Sequence, residues 1–221
     1  MVVVTGIGWI TKKDYGCVIQ GLQQNYYNTS LLNTRFNHDS LFLYPIKNFG
    51  RFDNSSKMAC CAGALALCDA GILYSEHRKQ NIGIIGTNIA GSLPSDVYYF
   101  KDYVESGRKL ARGSIFIYTL PSSPLAEMAI SFRFQGPLVY MTFPQKQISS
   151  LLRCAERMIL RQETSMMLAV KVDEEEGICF VLSREEDASS RRVFSLKDVM
   201  AITQKVFSLN EMIGEFVKAT P

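Results

Sequence analysis

Gln145 stands where the local pattern would present a side chain for chemistry. A Gly136-Pro137 turn leads into the β-prone run Leu138, Val139, Tyr140, Met141, Thr142 and Phe143, and a helix is predicted to begin just after Pro144 and run to Gln162. A strand, a sharp turn and a helix in that order leave the first backbone N–H groups of the helix unpaired at the carboxyl end of a strand. α/β proteins use such junctions to seat nucleophiles and anions. Gln145 is neither a nucleophile nor a general base at neutral pH, so acyl transfer through this position is not open to the chain. Cys154, more than two turns further along and beside a charged face, is a poor substitute.

Other constellations are sparse. The six cysteines (Cys17, Cys60, Cys61, Cys68, Cys154 and Cys179) lack CxxC spacing, and His38 and His77 are far apart, so the pattern supports neither a zinc site nor a disulfide framework. The loop Gly86-Thr87-Asn88-Ile89-Ala90-Gly91 follows a strand but has no Walker lysine and no full GxGxxG, which favours close packing over phosphate binding. Asp173 to Glu176 are four adjacent carboxylates without a ligand pattern and read as a solvated hairpin tip. No cofactor or metal is expected.

The 221 residues, 47% hydrophobic and 20% charged, suffice for a core of one or two domains. A formal charge of +3 is too small to suggest nucleic acid, and no apolar run approaches the roughly 20 residues of a membrane span. Without a signal-peptide pattern, the expected location is the cytoplasm.

The elements that must carry these residues alternate. Residues 2–10 and 81–86 are continuous apolar runs of the kind buried on both faces of a parallel sheet. Residues 55–70 have helical spacing, with Ser55 or Ser56 as cap, Gly71 as stop, and small residues (Ala59, Ala62, Gly63, Ala64, Ala66) that allow close backbone approach. A short helix is expected over 15–24, and an irregular, aromatic excursion reaches 52, held by Phe36, Phe42, Tyr44 and Phe49. Helices are expected over 96–106 and 124–134, and strands over 165–172 and 177–183, the last one antiparallel. The tail repeats VFSLKDVM as VFSLNEMI, each with a capping box, Ser195 with Asp198 and Ser208 with Glu211, so two helices should start there. The helix after Gln145 has one apolar stripe (Ile148, Leu151, Leu152, Ala155, Met158, Ile159) and an opposite charged side (Arg153, Glu156, Arg157, Arg161), with Leu160 as the exception.

Several of these stretches occur in a distinctive order: Val2-Val3-Val4-Thr5-Gly6-Ile7-Gly8; Ala64-Leu65 with Asp69-Ala70-Gly71; Ile82-Gly83-Ile84-Ile85-Gly86-Thr87 with Gly91; Leu120-Pro121-Ser122-Ser123; and Gly136-Pro137. Together they resemble the amino-terminal half of a β-ketoacyl synthase of the thiolase-like group. The resemblance covers residues 1–187 and leaves 188–221 as a helical carboxyl-terminal extension. It implies an α/β half-fold, a mixed five-stranded sheet, mostly parallel with one antiparallel strand, covered by helices. It also places the family's nucleophilic cysteine at Gln145, with Lys146 and Gln147 where small residues are expected. The family's catalytic histidines come from the carboxyl-terminal half, which this chain lacks; His38 and His77 lie elsewhere.

The resemblance thus implies a non-catalytic accessory protein in fatty acid, polyketide or aryl-polyene type biosynthesis. It would form a homodimer or a heterodimer with a ketosynthase through residues 138–143, or engage an acyl carrier protein. An alternative is a malonyl-carrier decarboxylase using Gln145 with a partner's histidines. Another is an acyl or small-molecule binding domain, with a vacated pocket at Thr87, Asn88 and Gln145.

Overall fold

In a computed structural model of the chain, residues 1–25, 41–109, 111–144, 147–188, 193–205 and 208–220 are described. The first strand, β1 (Val2–Thr11), is buried along nearly its whole length. It meets β2 (Asp14–Cys17), which turns into β3 (Leu22–Asn25), both pairings antiparallel. The expected helix over 15–24 is therefore two strands. The ladder of β2 to Gly8, Trp9 and Ile10, extended by β3 on β2, outweighs local propensity. Of the aromatics expected to hold the following excursion, Phe42 and Phe49 are buried against each other with ring centroids 5.2 Å apart. Tyr44 packs edge-on against Tyr74. Phe36 lies outside the described residues.

Helix α1 (Asn54–Ala70) begins one residue before the expected start, because Asp53 caps it: its side chain accepts from the Ser56 N–H at 2.8 Å. Gly71, at φ 64°, ends it in the left-handed conformation. Nearly every residue of α1 is buried, since it lies against β1, β6 and β7 on one side and α4 on the other. Then come β4 (Ile82–Thr87), α2 (Leu93–Glu105), the single turn α3 (Gly113–Phe116), α4 (Ser123–Phe132) and β5 (Leu138–Tyr140). Helix α5 (Gln147–Leu160), β6 (Met166–Val172), β7 (Glu176–Arg184), β8 (Phe194–Ser195), α6 (Leu196–Lys205) and α7 (Leu209–Lys218) complete the chain. Both predicted caps are present: the Asp198 N–H donates to Ser195 Oγ and the Glu211 N–H to Ser208 Oγ.

The sheet runs β3-β2-β1-β7-β6-β4-β5. Strands β5, β4 and β6 are mutually parallel, β7 is antiparallel to both β6 and β1, and β1 therefore points the same way as the parallel set. These five strands are the expected mixed core with one antiparallel member. The outer edge of β1 is covered twice, by β8 at Val3 and Val4 and by β2 from Gly8 onward. The opposite edge is β5, three residues long.

Each face of the sheet has its own core. Helices α1 and α4 cover one, with Ile84, Leu168, Val170 and Val181 beneath them. Helices α5, α6 and α7 cover the other over Ile7, Trp9, Met167 and Phe180. Phe216 of α7 is fully buried, its ring 5.9 Å from that of Phe180 and 6.2 Å from that of Phe194. The predicted stripe on α5 faces inward, with Ile148, Leu151, Leu152, Ala155 and Ile159 buried, Met158 half-buried, and Arg153 and Arg157 exposed. No helix among the described residues is long and apolar enough to cross a membrane.

Candidate functional site

The parallel strands β4, β5 and β6 end together, and α5 begins beside those ends. Side chains alternate along β4, so Ile84 faces α1 and α4 while Ile85 and Thr87 face α5. By the same alternation Lys171, the register partner of Thr87 on β6, also faces α5. Thr87 is buried and its hydroxyl has no hydrogen-bond partner among the described residues. Lys171 Nζ lies 3.0 Å from both Asp173 Oδ2 and Glu176 Oε1. Burial lowers the proton affinity of this ammonium group, yet the two carboxylates more than offset that and hold it above the ordinary lysine value. Lys171 is thus a fixed cation at the strand ends, not a neutral amine.

Asn88 closes the next loop. Its Oδ1 accepts from the Gly91 N–H at 2.8 Å and from Tyr140 Oη at 2.8 Å, and its Nδ2 donates to the Gly91 carbonyl at 2.9 Å. Gly91, at φ 62°, gives the turn the left-handed residue it needs. Asp173 Oδ1 accepts from the Ile89 N–H at 3.2 Å, tying the hairpin tip to this loop. The acidic turn is therefore solvated only in part: Glu174 and Glu175 are exposed, whereas Asp173 and Glu176 pair with Lys171. Among the described residues no group of three or more His, Cys, Asp or Glu could hold a metal ion.

A groove opens beside this loop. One cavity of about 230 Å³ is lined by Asn88, Gly91, Pro121 and the acidic tip; a second of about 470 Å³ lies between α2 and Phe52, Ile115 and Tyr118. Both share Asp53, Ser95 and Tyr118. Ser95 Oγ donates to Asp53 Oδ2 at 3.0 Å, so the helix cap also forms the groove floor. Tyr118 Oη donates to Glu127 Oε1 at 3.3 Å, and burial raises the proton affinity of both groups. Thr87 does not line either cavity.

Nucleophiles are scarce. Burial pushes the Cys60, Cys61 and Cys179 thiols well above their ordinary range. Burial and then the Asp69 carboxylate push Cys17 up to about 12. These four are packed as small apolar groups. Cys154 is half-buried against the α5 core. His77 is exposed on the loop that enters β4 at its amino end, a full strand from Thr87. Gln145, Lys146 and His38 lie outside the described residues. Sequence reasoning named Thr87, Asn88 and Tyr140, read Asp173 and Glu176 only as part of a solvated tip, and missed Lys171, which pairs with both. A lysine on the inward parity of an otherwise apolar run was the available signal.

No protein-family model matches the sequence, and no curated protein matches it. Among solved structures the chain is similar to the ishigamide ketosynthase/chain length factor, with 14% identity and a TM-score of 0.62 over 87% of this chain and 64% of that one. It is similar to a beta-ketoacyl synthase from Burkholderia phymatum at 15% identity and a TM-score of 0.62, over 85% of this chain and 60% of that one. A structure of a type II PKS acyl-carrier protein in complex with its ketosynthase bound to the hexaketide matches at 12% identity and a TM-score of 0.56, over 84% of this chain and 58% of that chain. The chain thus spans less than two thirds of the length of each of these structures. The likeness is one of fold: the chain folds like part of a ketosynthase.

Proposed function

We propose that this chain is a non-catalytic, ketosynthase-like accessory protein that pairs with a second copy of itself or with a catalytic ketosynthase, in fatty acid or polyketide type biosynthesis. In this reading residues 1–187 are the ketosynthase-like unit and 188–221 an extension that packs on its sheet. The observation that carries the pairing is α2. This 13-residue helix has no buried residue, and Leu93 and Phe100 are 60% and 62% exposed. An isolated helix of that length is marginal in water, and most helical stability comes from packing an apolar face. A covering partner would supply that packing. The edge strand β5, with Leu138 exposed and one side of its backbone unpaired in the sheet, offers a second contact of the same kind.

The absence of catalysis rests on the resemblance that puts Gln145 at the nucleophile position, and on the burial of the Cys17, Cys60, Cys61 and Cys179 thiols, with the exposed Cys68 lying at the far end of α1. Phe100→Glu on α2 and Tyr140→Arg on β5 should each convert a dimer into monomers in sedimentation experiments. A wild-type chain that stays monomeric at all concentrations, alone and with candidate ketosynthases, would count against the proposal.

One observation favours a second reading, ligand binding by Thr87, Asn88 and Gln145: the orphaned Thr87 hydroxyl. An unpaired buried hydroxyl costs roughly 1–3 kcal/mol. Thr87→Val should therefore raise the melting temperature. If the hydroxyl serves a ligand, the same change should weaken binding of a medium-chain acyl pantetheine thioester; a stabilised variant with unaltered binding ends this reading.

A further inference from the structure

Arg153, Arg157 and Arg161 repeat at every fourth residue along α5 and the turn that follows it, and all three are exposed. At 1.5 Å rise per residue they span about 12 Å in one line. None forms an ion pair with a described residue. Like charges one turn apart work against a helix. The negative end of the helix dipole favours Arg157 and Arg161, but Arg153 sits mid-helix and gains nothing from it. Glu156 is the only acidic residue within α5.

Leu160 completes the pattern. At 100° per residue it falls between Glu156 and Arg153, close to Arg157, and it is 59% exposed. The buried apolar residues of α5 are centred on the side opposite Arg157. The outer face thus carries three guanidinium groups on one side of a single exposed apolar side chain and the Glu156 carboxylate on the other, and arginine is among the residue types that carry most of the energy at protein interfaces.

We propose that the outer face of α5 docks an acidic amphipathic helix of a partner protein. The three arginines would pair with carboxylates, for which the planar guanidinium is suited, and an apolar residue would cover Leu160. Charge complementarity selects this occupant over a second copy of the chain. A two-fold contact would set the same arginines against each other, and like-charge juxtaposition disfavours an interface. Arg153, Arg157, Leu160 and Arg161 belong to neither α2 nor β5, so variants on this face test the inference separately from pairing through those two elements.

The test titrates the full chain with a fluorescein-labelled acidic amphipathic helical peptide of about 20 residues, read by anisotropy. Replacing all three arginines by glutamine should weaken binding about tenfold or more, because each lost charge pair adds to the last. Leu160→Ser should weaken it about threefold, and Lys79→Gln, an exposed change elsewhere, should leave it unaltered. A triple Arg→Lys variant keeps the charge and the fold and should still lose affinity severalfold. Sedimentation of the glutamine variant should match wild type, which separates this face from the pairing surface. Unaltered affinity in the glutamine variant overturns the proposal. So does equal binding of unstructured polyglutamate, or tighter binding of duplex DNA or anionic vesicles than of the peptide.

Discussion

Gly8→Ala is expected to destabilise the fold by about 3 kcal/mol or more, at or above the upper end of what overpacking costs. A methyl group on Gly8 would lie 2.2 Å from the Ala66 nitrogen, 2.6 Å from the Ala62 carbonyl oxygen and 2.6 Å from the Leu65 carbonyl carbon. All three are backbone atoms of α1, so no rotamer change relieves the contact. The helix would have to lift from β1, and it also packs on β6, β7 and α4. Gly6 makes the same demand, its added methyl meeting the Ala66 oxygen at 2.3 Å. Gly214→Ala in α7 is the internal control. Nothing lies within 4 Å of that added methyl, and alanine there should stabilise the protein by up to about 1 kcal/mol through helix propensity. Urea midpoints for the two variants should move in opposite directions. A Gly8→Ala protein with a wild-type midpoint would mean that α1 does not press on β1 as described.

Asp69→Ala carries an effect of similar size. Asp69 is buried at the end of α1, and its carboxylate accepts three backbone N–H groups: Ile7 at 2.8 Å and Ile19 at 3.1 Å on Oδ2, and Gln20 at 2.8 Å on Oδ1. Ile7 falls between the stretch of β1 paired with β8 and the stretch paired with β2. The carboxylate therefore fills a gap in the ladder and fastens the turn between β2 and β3 to the same point. Alanine would orphan three backbone donors at once. Each orphan costs roughly 1–3 kcal/mol when it stays buried, and partial access to water sets the sum nearer about 3–5 kcal/mol. Asp69→Asn keeps one acceptor oxygen and should lose less. Hydrogen exchange of the Ile7, Ile19 and Gln20 amides gives the local readout: all three should exchange faster in the alanine variant, relative to global opening. Protection retained at those amides, or a loss below about 1 kcal/mol, would remove Asp69 from this role.

The expected helix over residues 15–24 and the strands found there show where local reading ends. Tyr15, Cys17 and Val18 are buried, but what makes the first two extended and the third a turn is the ladder to β1 and the grip of Asp69 some fifty residues away. Neither partner is visible in a ten-residue window. The α1 cap shows the same on a smaller scale: Ser55 and Ser56 are ordinary capping types, yet Asp53 holds the position and also accepts from Ser95 of α2. At the site, Asn88 and Tyr140 were both legible as residues, but their 2.8 Å hydrogen bond depends on β4 and β5 lying side by side.

By itself the sequence determined the elements whose hydrophobic period is strong: β1, β4, β6 and β7 as buried strands, α1 as a small-residue helix, α5 as a one-sided helix, and the capped starts of α6 and α7. Each follows from interactions within a few residues, period and capping, which local order encodes. Tertiary structure alone decided the strand order, the cover of β2 and β8 over the edge of β1, the pairing of Lys171 with Asp173 and Glu176, and the absence of any buried residue in α2. These depend on which surfaces meet. Lys171, Asp173 and Glu176 are near neighbours in sequence, but only the β6–β7 hairpin and the burial over it turn three charges into one ion-paired group.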